Sequence, residues 1–163
     1  MLGNVGSGKS TLCKKLALEF GYRHLALGEL LRKEDNPVIQ YCMRTGQLIP
    51  SRITVAVLER ALEGEKEQDI ILVDGFPRNI ENIRVSGIEP SGVLYIDCDE
   101  KVCLERLLLR RRFNDKEKCI RERFVSFKKE TLPLIEYYRE RNLLYKVDDI
   151  EEAVKWMKLL QSG

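Results

Sequence analysis

Hydrophobic residues along the chain occur in short unbroken runs that alternate with longer stretches of helical periodicity. Three runs have the length and composition of buried parallel strands, at residues 70–73, 93–96 and 143–147. The intervening pattern predicts helices at 12–20, 53–62, 99–108, 116–142 and 150–160, with Pro133 as a kink in the long one. This alternation predicts an α/β three-layer sandwich around a parallel sheet, whose ligands bind at the carboxyl ends of the strands.

A glycine-rich segment, GNVGSGKST at residues 3–11, fits the pattern G-x-x-x-x-G-K-[ST] and predicts ATP or GTP binding. Its glycines let backbone N–H groups turn inward on phosphate oxygens, and the helix that follows adds its positive N-terminal end. Lys9 would reach the β and γ phosphates, and the Ser10 hydroxyl would join a magnesium shell. The predicted ATP-binding residues of this loop are Gly3, Val5, Gly6, Ser7, Gly8, Lys9, Ser10 and Thr11.

The strand that ordinarily precedes such a loop is predicted to be very short. Only Met1 and Leu2 stand before Gly3. A truncated gene prediction, or a start at an internal methionine, would explain this as well as a true loss of the strand.

The composition indicates a single domain over residues 1–163, with 44% hydrophobic and 33% charged residues. The net charge of +2 does not indicate a nucleic-acid partner, and no apolar run approaches the roughly 18 residues of a membrane-spanning helix. The five cysteines are odd in number and lack a C-x-x-C pair, which argues against a disulfide framework and a zinc site. We expect reduced, packed thiols in a cytoplasmic or nuclear protein.

A second candidate site lies at the end of the run at 70–73, where the sequence continues as DGFPR at residues 74–78. An acid at a strand tip beside a phosphate loop can hold magnesium through water, which is the predicted role of Asp74. Arg78 would clamp a phosphoryl group during transfer. The alternative is that Asp74 only forms a turn and Arg78 is a surface charge.

With two further segments, HLALGELLR at 24–32 and GQLIP at 46–50, the chain resembles the adenylate kinase family of nucleoside monophosphate kinases over almost its whole length. The resemblance implies the P-loop nucleoside triphosphate hydrolase fold. It also implies ATP and a nucleoside monophosphate as substrates, with Mg²⁺ as the cofactor.

The resemblance assigns most of the arginines to a cage around the two nucleotides. Arg32 and Arg78 would grip the acceptor phosphate, while Arg110, Arg112 and Arg123 would belong to the ATP lid and the helix after it. Such a cage positions two anions and neutralises their charge, so no general base is needed. The implied catalytic residues are Lys9, Arg78, Arg112 and Arg123, and Arg110 would bind ATP. The implied monophosphate-binding residues are Leu27, Gly28, Arg32, Leu48, Ile49, Gly75, Arg78 and Asn82.

Both moving parts are trimmed relative to the family pattern. The lid, residues 110–116, resembles that of short, nuclear-type adenylate kinases, and Asn114-Asp115 matches the acidic pair of the lid. The monophosphate-binding segment, residues 27–50, is also abbreviated, between Arg32 and Gly46, so we expect a smaller closure. Without the resemblance, consecutive arginines at 110–112 would be typical of a solvated helix C-terminus.

The acceptor pocket departs from adenylate kinases and is similar to UMP-CMP kinases. Asn82 stands where adenylate kinases carry glutamine, and its shorter amide would read a pyrimidine edge. Leu27 matches neither pattern and would crowd a purine. Asn82 could instead be a helix-surface residue, and His24 is expected to be structural.

We therefore predict a monomeric kinase that favours UMP and CMP, with no nucleic-acid or membrane partner. An adenylate kinase that uses AMP is one alternative, and an ATPase acting as an assembly factor is another. A kinase of small metabolites such as shikimate is disfavoured by residues 46–50 and Asn82.

Overall fold

The computed structural model describes residues 1–66 and 69–162, and all strand pairs within them are parallel. The strands are β1 (Leu2–Gly3), β2 (Arg23–Ala26), β3 (Ile71–Asp74), β4 (Val93–Ile96) and β5 (Leu144–Lys146). The predicted strands at 70–73, 93–96 and 143–147 correspond to β3, β4 and β5. Strand β2 was not predicted, because the polar residues Arg23 and His24 interrupt its apolar pattern.

The parallel sheet is divided into two sections, ordered β1-β4-β5 and β2-β3. Strand β1 has two residues, which pair with β4, so the first strand is short as predicted. The amino group of Met1 donates a hydrogen bond to the carbonyl oxygen of Val73 at 2.7 Å. This bond joins the edge of the first section to β3 in the second.

Helices occupy most of the remaining chain. They are α1 (Lys9–Phe20), α2 (Leu27–Lys33), α3 (Pro37–Thr45), α4 (Ser51–Leu62), α5 (Ile80–Ser86), α6 (Glu100–Arg110), α7 (Glu117–Ser126), α8 (Leu132–Glu140) and α9 (Ile150–Gln161). None of the described helices is long and apolar enough to cross a membrane. Helices α2, α3 and α5 are too short for their periodicity to stand out from the sequence.

The long helix predicted at 116–142 runs without interruption through α7, a π-turn at Phe127–Thr131, and α8. The N–H of Leu132 donates to the carbonyl of Phe127, five residues earlier. Pro133 has no N–H for the carbonyl four residues before it, and its ring would collide with that carbonyl in a regular α-helix. The widened turn before Pro133 relieves this conflict, so the kink predicted at Pro133 takes the form of a π-turn just before it.

The side chains of β4 alternate between the two faces of the sheet. Val93 and Tyr95 pack with α5 and α8, whereas Leu94 packs with α1 and α9. Helices therefore cover both faces, which confirms the three-layer α/β fold. A separate cluster that includes Leu27, Leu31 and residues of α3 and α4 forms a core beside β2 and β3.

The parallel arrangement brings the carboxyl ends of β1 and β3 to the same edge. Strand β1 leads into the glycine-rich loop, and β3 ends at Asp74, followed by Gly75 at φ +88°. A positive φ of this size suits glycine and turns the chain sharply after the strand. The two motifs recognised in the sequence therefore meet at one edge of the sheet.

Candidate active site

A cavity of about 370 Å³ opens at this edge and is lined mainly by basic side chains. The basic residues in its wall are Lys9, Lys14, Arg32, Arg78, Arg106, Arg110, Arg112 and Arg123, and the acidic ones are Glu29 and Asp74. These basic side chains come from both halves of the chain. Such an excess of positive charge in a cleft attracts highly charged anions.

The glycine-rich loop forms one wall of the cavity through its backbone. Gly6 and Gly8 have φ of +79° and +96°, and a Cβ on Gly6 would lie 2.7 Å from the carbonyl oxygen of Cys103. Helix α1 begins within this segment, at Lys9, directly after Gly8, so its unpaired N-terminal N–H groups lie beside the cavity. Of the predicted ATP-binding residues, all but Ser7 line the cavity, and Ser7 is buried beneath the loop.

Lys9 is held inside the loop by a hydrogen bond from its Nζ to the carbonyl oxygen of Asn4 at 2.7 Å. Burial lowers the pKa of Lys9 to about 8, although the nearby Asp74 carboxylate opposes this shift. Arg78 and Arg123 lower the pKa further by repulsion. An anion bound in the cavity would offset the cost of this buried positive charge.

Asp74 and Ser10 form the candidate magnesium site. The Ser10 hydroxyl donates to the Asp74 carboxylate, and both residues line the cavity. One carboxylate and one hydroxyl are hard oxygen donors, and this sparse set fits a Mg²⁺ ion that takes its other ligands from phosphate and water. His24 Nε2 lies 3.9 Å from Asp74, and burial lowers the pKa of His24, which favours a neutral imidazole.

Arg78 lies where the large cavity meets a smaller one, and it lines both. Its Nε donates to the carbonyl of Gly75 at 3.1 Å, and burial lowers its pKa. Its backbone N–H donates to Oδ1 of Asn82 at 2.8 Å. Arg78 is therefore not the exposed surface charge of the alternative interpretation.

The smaller cavity lies on the predicted acceptor side. Among the predicted monophosphate-binding residues, those that line one or both cavities are Gly28, Arg32, Leu48, Ile49, Gly75, Arg78 and Asn82. Leu27 is the exception: its side chain is 0% exposed and packs in the core beside β2 and β3, so the prediction that it crowds the base is wrong. Burial, followed by repulsion from Arg112, lowers the pKa of Arg32.

Asn82 is a buried residue, 3% exposed, rather than a helix-surface residue. In addition to accepting from Arg78, it donates from Nδ2 to Oγ of Ser51 at 2.8 Å, and Ser51 donates to Glu81 at 2.7 Å. The amide orientation is fixed by these partners, because only Oδ1 can accept from a backbone N–H. Among residues 1–66 and 69–162, no further hydrogen-bond partner engages the second Nδ2 hydrogen or the second Oδ1 lone pair.

The segment predicted to be the short lid, residues 110–116, is a turn held by the buried carboxylate of Asp115. Arg110 donates to it from Nε and Nη2 at 2.8 and 2.7 Å, and the backbone N–H of Arg112 donates at 3.1 Å. Arg123 Nη1 lies 3.5 Å from the same carboxylate. Burial alone would raise the pKa of Asp115, but the hydrogen bonds and arginine charges outweigh it and lower the pKa.

Two basic residues of the cavity were missed from the sequence. Nη1 of Arg106 donates to the carbonyl of Ser7 at 3.3 Å and so supports the glycine-rich loop. Its position four residues before Arg110 places both on one face of α6, which is a signal that the sequence contains. Lys14, on α1, follows Lys9 at five residues, a spacing that gives no comparable signal.

Comparison with known proteins agrees with this geometry. The family model for adenylate kinase matches residues 1–143. UMP-CMP kinase 3 of Arabidopsis thaliana is 39% identical over 160 residues, which cover 91% of this chain and 79% of the relative. UMP-CMP kinase of Xenopus laevis is 36% identical (91% and 88% covered), and uridylate kinase of Saccharomyces cerevisiae is 34% identical (95% and 89% covered). The motifs, the fold and these relatives lead to the same conclusion: this chain belongs to the adenylate kinase family.

Proposed function

We propose that this protein transfers the γ-phosphoryl group of ATP to a nucleoside monophosphate, with UMP and CMP as the favoured acceptors. The products are ADP and a nucleoside diphosphate, and the reaction is reversible. The observation that carries the proposal is the position of Arg78, which lines both the cavity of the glycine-rich loop and the smaller acceptor cavity. A phosphoryl group passing between the two nucleotides would pass this guanidinium.

The residues of the cavity act by positioning and by charge. The loop N–H groups and Lys9 hold the β and γ phosphates, while Arg32 and Arg78 hold the acceptor phosphate in line with them. Mg²⁺, held by Ser10 and Asp74, would neutralise phosphate charge. The lid side contributes Arg110, Arg112 and Arg123, which surround the transferred group. Stabilising the charge that develops on this group accounts for most of the catalysis.

The preference for a pyrimidine rests on Asn82 and on the relatives. A short amide fixed at the wall of the smaller cavity can pair with a base edge through its remaining hydrogen and lone pair. The relatives reported above are named UMP-CMP kinases or uridylate kinase, which favours the same acceptors. Because Leu27 is buried in the core, crowding by that residue no longer supports the preference.

We further propose that Mg²⁺ accompanies ATP, that the protein acts as a monomer without nucleic acid, and that it works in the cytoplasm or nucleus. The hard oxygen donors of Ser10 and Asp74 support the metal. The five cysteines are unpaired thiols, four of them buried, which suits a reducing compartment.

A coupled assay with AMP, CMP, UMP and dCMP as acceptors tests the proposal. We expect nucleoside diphosphate and ADP to form in equal amounts, with CMP or UMP giving the highest kcat/KM. Release of free phosphate without any acceptor would favour the ATPase assembly factor instead. Turnover of AMP that equals or exceeds that of CMP and UMP would identify an adenylate kinase.

A further inference from the structure

The backbone of Arg78 is held from two sides by side chains of other elements. Its N–H donates to Oδ1 of Asn82 at 2.8 Å, and its carbonyl oxygen accepts a hydrogen bond from the Thr131 hydroxyl at 2.7 Å. Within the side chain, Nε is committed to the carbonyl of Gly75. In residues 1–66 and 69–162, no hydrogen bond engages Nη1 or Nη2, so these two nitrogens remain for a ligand.

We propose that Thr131 is a positioning residue for the phosphoryl-transfer reaction, acting through the main chain of Arg78. The inference rests on the proposed function, since it assigns Arg78 to the transferred phosphoryl group. Together with Asn82 and Gly75, Thr131 fixes the base of the arginine side chain on three sides. The guanidinium then retains little freedom before substrate binds, and a pre-organised group loses less entropy in the transition state.

The position of Thr131 depends on the π-turn. Thr131 is the last residue of the turn, is buried, and lies two residues before Pro133, whose missing N–H accounts for the turn. A π-turn shifts the following residues around the helix axis relative to a regular α-helix, and such turns often occur at functional sites. In this chain, the shift accompanies a hydroxyl directed at the carbonyl of Arg78, 53 residues away along the chain.

The same segment also relates Arg78 to Arg123. Arg123 lies on α7, directly before the π-turn, and lines both cavities as Arg78 does. Its Nη1 is buried and has no hydrogen-bond partner in the described residues. The hydrogen bond from Thr131 therefore ties the loop that carries one arginine to the helical segment that carries the other.

The test compares Thr131→Val with Thr131→Ser. Valine has nearly the same shape as threonine but cannot donate, whereas serine keeps the hydroxyl. We expect Thr131→Val to lower kcat about 3- to 10-fold, the factor that corresponds to one hydrogen bond, and Thr131→Ser to stay within about twofold of the wild type. Ser86→Ala, at the end of α5, removes another hydroxyl-to-carbonyl hydrogen bond, to Ile83, together with the bond that the hydroxyl accepts from the N–H of Ile88, and should leave kcat unchanged.

A double-mutant cycle separates positioning from general destabilisation. In an Arg78→Ala background, Thr131→Val should have almost no further effect on kcat, because the group it positions is gone. An equal loss in both backgrounds would overturn the inference, as would an unchanged kcat for Thr131→Val. If the valine protein does not fold, a serine variant with a tenfold loss at an unchanged Tm would overturn it as well.

A binding measurement gives a readout that does not depend on turnover. Inorganic phosphate, titrated by calorimetry, should bind about threefold more weakly to Thr131→Val than to the wild type, and equally to both in the Arg78→Ala background. If the wild type makes no nucleoside diphosphate from any acceptor, the proposed function fails, and this titration still decides the role of Thr131. Equal phosphate affinities of the wild type and Thr131→Val, both with Arg78 in place, would contradict that role.

Discussion

The donor and acceptor sides of the cavity are built in different ways. The donor side is a contiguous segment, residues 3–11, in which backbone N–H groups and glycine torsions form the binding surface. The acceptor side takes Arg32 from α2, Arg78 from the loop after β3 and Asn82 from α5, and its groups are side chains. One side is a local structure, and the other is assembled by packing.

This difference implies different sensitivities. Backbone donors remain after most side-chain substitutions, so the vulnerable features of the donor side are the charge of Lys9, the glycine torsions and the support of the loop by Arg106. On the acceptor side, the position of each group depends on neighbours such as Ser51 and Thr131. Indirect substitutions should therefore matter more there.

The largest expected effect follows from removing the central positive charge of either side. Lys9→Ala and Arg78→Ala should each lower kcat by a factor on the order of 10² or more with the fold intact, because each removes positive charge from the transferred phosphoryl group. Steady-state kinetics with circular dichroism would measure this. Lys15→Ala, an exposed lysine on α1, is the matched control, and near-normal kcat in either variant would refute the assigned role.

Base discrimination sharpens the comparison on the acceptor side. We expect kcat/KM for CMP or UMP to exceed that for AMP by about 5- to 150-fold, since a mismatched base edge leaves the Asn82 amide unpaired. Asn82→Gln should lower the ratio of kcat/KM for CMP or UMP to kcat/KM for AMP. Because Asn82 also accepts from the Arg78 N–H, the same substitution should lower kcat with every acceptor. A changed ratio with unaltered kcat would show that the two roles are separable.

The pH dependence of ATP binding tests the donor side. Lys9 has a pKa of about 8 in the free protein, and bound phosphates should raise it, so ATP binding above pH 8 requires proton uptake. Affinity for ATP should fall up to about tenfold per pH unit above that value. The stability of the free protein should change in the opposite direction. Its free energy of unfolding should rise between pH 8 and 10.5, where Lys9 carries its proton only in the unfolded state. Calorimetry on the wild type and Lys9→Met would measure both, and identical pH profiles would contradict the assignment.

The smallest expected effect concerns the lid, where the arginines share duties. Arg110 and Arg123 both lie against Asp115, and Arg112 joins them in the cavity wall. Combining Arg110→Ala with Arg112→Ala or Arg123→Ala should lower kcat/KM by more than the two single losses together. We expect coupling energies of about 0.5–3 kcal/mol. Strictly additive losses in kcat/KM would show that the arginines act independently.

The relation between sequence and structure follows the same division. Short segments of sequence were enough to predict the strands, the glycine-rich loop and the roles open to Asp74 and Arg78. In each of these segments, the residue types themselves have a direct physical effect on the backbone or on a ligand. The position of Leu27 was predicted incorrectly, whereas the kink predicted at Pro133 is present as a π-turn just before it. The burial of Leu27 depended on contacts with residues far away in the chain, whereas the π-turn has a local cause in Pro133.

By itself, the sequence determined the structures that depend on backbone torsions within a few residues: the phosphate-binding loop, the alternation of strands and helices, and the acid and arginine at the end of β3. Only the tertiary structure decided which side chains meet. It buried Leu27 in the core, turned Asn82 toward Ser51 and Arg78, and placed Arg106 and Thr131 at the site. The physical reason is that torsional preferences are local, whereas a hydrogen bond between side chains of distant elements exists only after those elements have packed.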